Sequence, residues 1–320
     1  MPNVTPYVLQ HAETEQLLAQ IDVHQALLAM FRDLAAGSAV QPAQQLVEFP
    51  GATGDFINYL GVLADAGVYG VKTSPYIVRQ QGPLVSAWTL LMSMQTGQPL
   101  LLCDAGSLTT ARTAATTAVA VDALAPTQAT RLTVIGSGAV ARAHVQYAKG
   151  LREWQSIRLY SPSLAGKTAA QRLALQQLDP RVQLCASQAE AIADAEVIML
   201  CTSSATPVLD PAQLRTPALI TSISTNAPRA HEVPPQALAQ LDVYCDYRAT
   251  TPGSAGEMCL ASEQHGWDRA QIRGDLPELL SGQAPQPDYR RHVFFRSIGL
   301  GLEDIALANA LYHLKHAHSA

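Results

Sequence analysis

The sequence predicts an α/β protein, a parallel-sheet Rossmann domain beside a second domain of α+β type. Three observations predict it. After Pro126, apolar strand-like runs alternate with helical stretches, the rhythm of βαβ units and a parallel sheet. A G-x-G-x-x-A run, Gly136 to Ala141, follows an apolar strand and opens a helix. Before Pro126 the rhythm differs, with short strands following one another across Gly, Pro and Gln-Thr-Gly turns.

Taken in order, apolar residues from Leu17 to Leu34 recur at helical spacing and predict a helix over 13–36, ended by Gly37. Strands are expected at 46–49, 56–60, 68–72, 88–94 and 100–103. An Ala- and Thr-rich helix follows at 108–124, its small side chains allowing close packing. The second domain shows strands at 132–135, 157–160, 182–185, 197–202, 219–224 and 243–246. The tail, 299–315, is helical again, and its apolar face is expected to pack back on the first part of the chain.

Composition narrows the function classes. The 320 residues suit two domains. Charged residues are 15% and apolar ones 48%, so few charges remain to cover a surface, and an oligomer interface is expected. A net charge of -5 leaves no basic footprint for nucleic acid. Five Cys without a CxxC pair disfavour a disulfide framework and a zinc ribbon. The first residues lack a signal-peptide pattern, and no apolar run reaches the ~18 residues of a membrane span, so a cytoplasmic protein without a membrane partner is expected. His313, His316 and His318 have no partner acid and are expected to fray into solvent, so no metal site is expected. No G-x-S-x-G elbow occurs.

The glycine run carries the most chemistry. Gly136 permits a tight turn, Gly138 admits a pyrophosphate to the backbone, and Ala141 lets helix and strand approach. Amides of Ser137, Ala139 and Val140 at the helix start suit phosphate oxygens. The next strand ends without the acid that would bind a ribose 2′-hydroxyl. Ser161, Ser163 and Lys167 lie there instead and suit a 2′-phosphate, so NADP(H) is expected, with NAD(H) possible. Thr202 and Ser203, after the fourth Rossmann strand, are candidate cofactor contacts, as are Thr113 and Ser224.

Several segments together resemble the ornithine cyclodeaminase/μ-crystallin family over nearly the whole chain. They are Gly70-Val71-Lys72, Thr96 to Leu100, Leu108 to Ala115 with its Thr-x-x-Arg-Thr-Ala-Ala run, the Gly136 loop, Asn226-Ala227-Pro228 followed by Glu232, and Arg296 to Gly299. The resemblance implies a substrate-binding and dimerisation domain from 1–118 with 297–320, a Rossmann NADP-binding domain at 119–296, and a homodimer. It also implies redox chemistry at the α-carbon of an amino acid or cyclic imino acid, with Lys72 and Arg112 gripping the carboxylate. A carboxylate in an apolar cleft needs such cations, and Arg can hold it through two parallel bonds. Burial beside Arg112 would lower the Lys72 pKa and suit it to proton exchange.

Two departures shape the expected substrate. Asn226 stands where the family's cyclodeaminases carry a catalytic Asp, and Asn is no base, which disfavours ornithine cyclisation. Gln44 stands where a family Arg is expected, while Asp55 and Glu48 lie nearby. This charge change suits a guanidinium, received by Asp55. In this the chain resembles the family's NADP-dependent L-arginine dehydrogenase branch, and the resemblance implies reversible, NAD(P)-dependent oxidative deamination of L-arginine to 5-guanidino-2-oxopentanoate and ammonia. Lys72, Arg112 and Asn226 would serve at the reacting end, with Gln44, Asp55 and Thr225 around the substrate. The alternatives are reduction of Δ1-pyrroline-2-carboxylate or Δ1-piperideine-2-carboxylate, and a μ-crystallin-like NADPH-binding protein. Asp304, at the start of the tail helix, reads as a helix cap or a residue reaching the cofactor domain.

Overall fold

The structure is a computed structural model and describes residues 5–224 and 229–319. The chain divides into two units, Met1–Arg112 with Gly299–Ala320, and Thr113–Ile298.

The first unit opens with β1 (Tyr7–Leu9), α1 (His11–Leu18) and α2 (Val23–Ala36). The predicted 13–36 helix is thus two helices. Asp22 accepts the Gln25 amide at 3.0 Å and caps a new start, an option that continuous apolar spacing conceals. Then follow β2 (Ala39–Val40), β3 (Gln45–Glu48), β4 (Gly54–Leu63), β5 (Val68–Ile77), β6 (Leu84–Val85), β7 (Trp88–Ser93) and β8 (Pro99–Asp104). They form one sheet in the order β1-β8-β7-β5-β4-β2, with β3 on β4 and β6 on β5. Apart from the parallel β1–β8 pair, these pairs are antiparallel. Helix α3 (Gly106–Leu124) follows, and the division between units falls within it.

The second unit holds β9 (Arg131–Ile135), α4 (Ala139–Ala148), β10 (Ser156–Tyr160), α5 (Ala169–Gln176), β11 (Val182–Leu184), α6 (Gln188–Ile192), β12 (Val197–Leu200) and β13 (Leu219–Ser222). It continues through β14 (Asp242–Cys245), α7 (Gly256–His265), β15 (Ile272–Asp275), α8 (Leu276–Leu280) and β16 (Val293–Arg296). The sheet is parallel throughout, ordered β11-β10-β9-β12-β13-β16-β14-β15. Strand order reverses between β9 and β12, the switch point at which Rossmann folds take ligands. Its central strands are buried along their length, as a sheet covered on both faces requires. Strands β15 and β16 escape the sequence reading: β15 (Ile-Arg-Gly-Asp) carries an exposed Arg273 and a Gly, and β16 (Val-Phe-Phe-Arg) is a three-residue apolar run ended by a charge, so neither gives a clear strand signal.

The chain returns to the first unit in α9 (Gly301–Ser319). Glycines let it lie against the sheet. A Cβ on Gly61 would meet Leu302 at 3.0 Å, one on Gly301 would meet the Leu60 carbonyl at 2.2 Å, and one on Gly70 would meet Ile305 at 2.7 Å. The Gln41 side chain accepts the Leu302 amide at 3.0 Å and satisfies one of the helix's opening donors. The other sheet face keeps Leu60, Val62, Val71, Leu90 and Leu102 only partly buried. His313, His316 and His318 are exposed as expected, but the helix that carries them runs on to Ser319. His316 stacks on Tyr312 with 5.8 Å between ring centroids and meets the Tyr7 hydroxyl at 3.2 Å, because an aromatic cluster offers the imidazole a better surface than water.

Candidate functional site

In the first unit, a group of charges collects where β4, β5, α3 and α9 meet. Lys72 lies in mid-strand rather than at a strand end, since β5 runs on to Ile77. Residues 68, 70 and 72 alternate inward, and this pleat carries the Lys72 side chain beneath α9, where it is 1% exposed. Its Nζ stands 2.8 Å from Asp304 Oδ2, 3.5 Å from Thr109 Oγ1 and 4.2 Å from the Tyr59 ring centroid. Arg112, one turn beyond Thr109 on α3, is also buried. Its Nη1 lies 3.2 Å from Glu303 and its Nε 3.5 Å from Asp304 Oδ1. Two cations thus face two fully buried carboxylates. Desolvation, then Arg112, lower the Lys72 pKa to about 8, against the opposing pull of Asp304 and Glu303. Such an amine exchanges protons readily near neutral pH. The buried Tyr59 hydroxyl has its pKa raised, first by burial.

Asp55 lies further along β4, half-buried, with Glu48 opposite it on β3 and Tyr76 opposite on β5. Directly opposed residues share a sheet face, and all three line a cavity of about 610 Å³. Asp55 and Tyr59 are also on one face, four strand residues or about 13 Å apart. Gln44, just before β3, keeps its Oε1 shielded with no hydrogen-bond partner among the described residues.

In the second unit, the glycine loop fits a dinucleotide on its own geometry. Gly136 has φ +139°, and a Cβ there would stand 2.3 Å from the Cys201 carbonyl. A Cβ on Gly138 would find no heavy atom within 4 Å, so space is open beside the backbone. Gly138 is the N-cap of α4 and supplies no side-chain cap, so the helix's opening amides at Ala139 and Val140 have no such partner. Ser137 Oγ meets Ser163 Oγ at 3.0 Å, and Ser163 Oγ meets Ser161 Oγ at 2.9 Å. Lys167 closes the same short turn, half-buried. Thr113, on α3, is half-buried, and its carbonyl accepts from Thr117.

Glu232 is the residue that the sequence reading undervalues. Fully buried, it accepts the amide and hydroxyl of Thr202 at 2.9 and 2.7 Å, the Ser222 hydroxyl at 2.8 Å and the Ser224 amide at 2.8 Å. One carboxylate thereby ties the loop after β12 to the loop after β13. The Thr202 hydroxyl is committed to Glu232, while Ser203 is exposed. Ser224 has φ +50°, a conformation uncommon outside Gly, Asn and Asp. Thr225 and Asn226 lie outside the described residues. Among the described residues no group of three or more His, Cys, Asp or Glu could hold a metal ion, and no helix is long and apolar enough to cross a membrane.

Comparison with known proteins gives one family, one relative and two solved structures. A model of the ornithine cyclodeaminase/mu-crystallin family matches residues 4–318. The chain is 69% identical over 317 residues to the NAD(P)H-dependent anabolic L-arginine dehydrogenase DauB of Pseudomonas aeruginosa, covering 99% of this chain and 100% of that protein. Among solved structures, a probable ornithine cyclodeaminase from Bordetella pertussis Tohama I superposes with TM-score 0.87 at 28% identity, covering 98% of each chain. The Thermococcus litoralis Δ1-pyrroline-2-carboxylate reductase, solved with NADH and L-proline, also gives 0.87, at 22% identity and the same coverage of each chain, and shares the fold.

Proposed function

The chain belongs to the ornithine cyclodeaminase/mu-crystallin family, and from that premise we propose that it is an NAD(P)(H)-dependent L-arginine dehydrogenase. The observation that carries this reading is the 69% identity, across the full length of both chains, to an enzyme of that name. The forward reaction takes L-arginine, water and oxidised cofactor to 5-guanidino-2-oxopentanoate, ammonia and reduced cofactor, and it is reversible. When bound, the nicotinamide supplies hydride chemistry at the substrate's α-carbon.

The chain's own residues do the rest. Lys72 and Arg112 hold the substrate carboxylate, and Lys72, directly or through a water, moves the proton at the substrate nitrogen. Asp55, with Glu48 opposite, receives the guanidinium. An extended arginine spans about 7 Å between its carboxyl and guanidinium carbons, six bonds of about 1.5 Å in a zigzag. Side chains reaching in from both ends cover the rest of the interval between the Tyr59 and Asp55 positions. Gln44, Thr225 and Asn226 complete the substrate's surroundings. Gly136, Ser137, Gly138, Ala139 and Val140 hold the pyrophosphate. The linked hydroxyls of Ser161 and Ser163, with Lys167, favour the 2′-phosphate of NADP(H). Thr113, Ser203 and Ser224 line the cofactor, with Thr202 fixed from behind by Glu232.

The first unit also serves dimerisation. Val8, Val40 and Tyr69 are exposed on the same outer sheet face as the partly buried Leu102 and Val62, and an exposed apolar face of this kind marks an interface. The expected assembly is a cytoplasmic homodimer. Purified protein given L-arginine and NADP+ should show NADPH absorbance rising with time. No turnover with NADP+ or NAD+, in either direction, would overturn the reading.

A further inference from the structure

Asp304 has more contacts than a helix cap needs. It lies in the first turn of α9, where any carboxylate gains from the helix dipole even when exposed. Instead it is 0% exposed, a costly position for a charge unless it is closely paired. Its two oxygens point to different cations, Oδ2 to Lys72 Nζ at 2.8 Å and Oδ1 to Arg112 Nε at 3.5 Å.

We propose that Asp304 is the positioning residue of the reacting end: one buried carboxylate sets the spacing of Lys72 and Arg112 and holds the Lys72 ammonium in the orientation from which it exchanges a proton with the substrate nitrogen. This rests on the dehydrogenase reading above. The other groups facing this pair are Tyr59 from β4, Cys103 from β8, Arg112 from α3 and Glu303 from α9. Burial and Arg112 both favour the neutral amine, so the contact with Asp304 is what keeps a useful share of Lys72 protonated. In reductive amination the Lys72 ammonium would give its proton to the imine nitrogen, leaving an iminium carbon to which the bound reduced cofactor would supply hydride.

The test is the pH profile of kcat/KM for reductive amination in wild type and Asp304→Asn, with NADPH binding measured in both. The expected result is an alkaline limb shifted down by about one pH unit or more in Asp304→Asn. NADPH affinity should be unchanged. Folded Asp304→Asn with a wild-type pH profile would overturn the inference. Should Asp304→Asn not fold, Asp304→Glu carries the test. Its charge is kept but its reach differs by one methylene, so the limb should stay in place while kcat falls about tenfold. Wild-type kcat in that variant overturns the inference. Wild-type enzyme inactive on L-arginine would remove the dehydrogenase reading itself, whereas an active wild type with an unmoved variant removes only the role of Asp304.

Discussion

Gly299 and Arg112 interlock: a Cβ on Gly299 would stand 2.1 Å from Arg112 Nη1, and Gly299 holds φ +78°. The missing side chain is the room in which the guanidinium lies. Gly299→Ala therefore strains the backbone and displaces Arg112 together. The strain alone costs about 1–3 kcal/mol. Steady-state kinetics should show kcat/KM for L-arginine reduced about a hundredfold, while a fluorescence titration finds NADPH affinity kept. Unchanged kinetics would mean that Arg112 does not grip the substrate.

Asp55 separates arginine from smaller substrates. Losing a charge-assisted hydrogen bond costs about 1.5–3 kcal/mol. Asp55→Ala should raise KM for L-arginine by about ten- to a hundredfold and leave any slow reduction of a cyclic imine untouched. An equal loss on both substrates would assign Asp55 to the fold of the β3–β4 hairpin instead.

How much was readable from the sequence depended on how local each signal is. The Gly136 loop was legible because its strand, turn and helix are contiguous, and its backbone requirements act on single residues. The partnership of Lys72 with Asp304 was not, because it joins mid-strand β5 to the first turn of α9. Read locally, Asp304 is only an acid at a helix start, the commonest place for one. Tyr59 gave no signal, since an inward aromatic on a strand reads as core. Glu232 appeared only as part of a motif, because its four donors come from the end of β13 and from the loops after β12 and β13. The hydroxyls of Ser161 and Ser163 were visible, but their link to Ser137 required β9 and β10 to pair.

That hydroxyl link gives a specificity prediction. Ser161→Asp places a carboxylate where a 2′-phosphate would lie and where a ribose hydroxyl would donate to it. The ratio of kcat/KM for NADP+ over NAD+ should fall about a hundredfold, read from initial rates with each cofactor. An unchanged ratio would remove Ser161 and its neighbours from the cofactor site.

Glu232→Gln tests the tie between the β12 and β13 loops. An amide keeps one acceptor oxygen but turns an NH2 toward groups that themselves donate. Unsatisfied buried donors cost about 1–3 kcal/mol. Thermal unfolding should start several degrees lower, and NADPH should restore less of the loss than it adds to wild type. A variant as stable and as tightly bound as wild type would show that the loops hold without Glu232.

His144 on α4 is one group that destabilises the second unit in acid, beside His292, whose pKa burial also lowers. It is buried, with Nδ1 donating to the Val140 carbonyl at 2.8 Å and Nε2 meeting Thr117 Oγ1 at 3.0 Å. Burial lowers its pKa from 6.5 to about 4. As pH falls below about 6.5 the unfolded chain takes up a proton that the folded chain refuses until about pH 4. Stability is therefore lost through this window, by an amount on the order of 3 kcal/mol. Asp179, held near 2 by its bonds to Arg181, contributes a loss only below its ordinary 3.8. The two windows are thus separable in urea titrations between about pH 7 and pH 4.5. Wild type should lose stability steadily across that range, and His144→Gln, less stable at neutral pH, should lose much less. Parallel slopes in the two proteins would mean that other groups drive the acid transition.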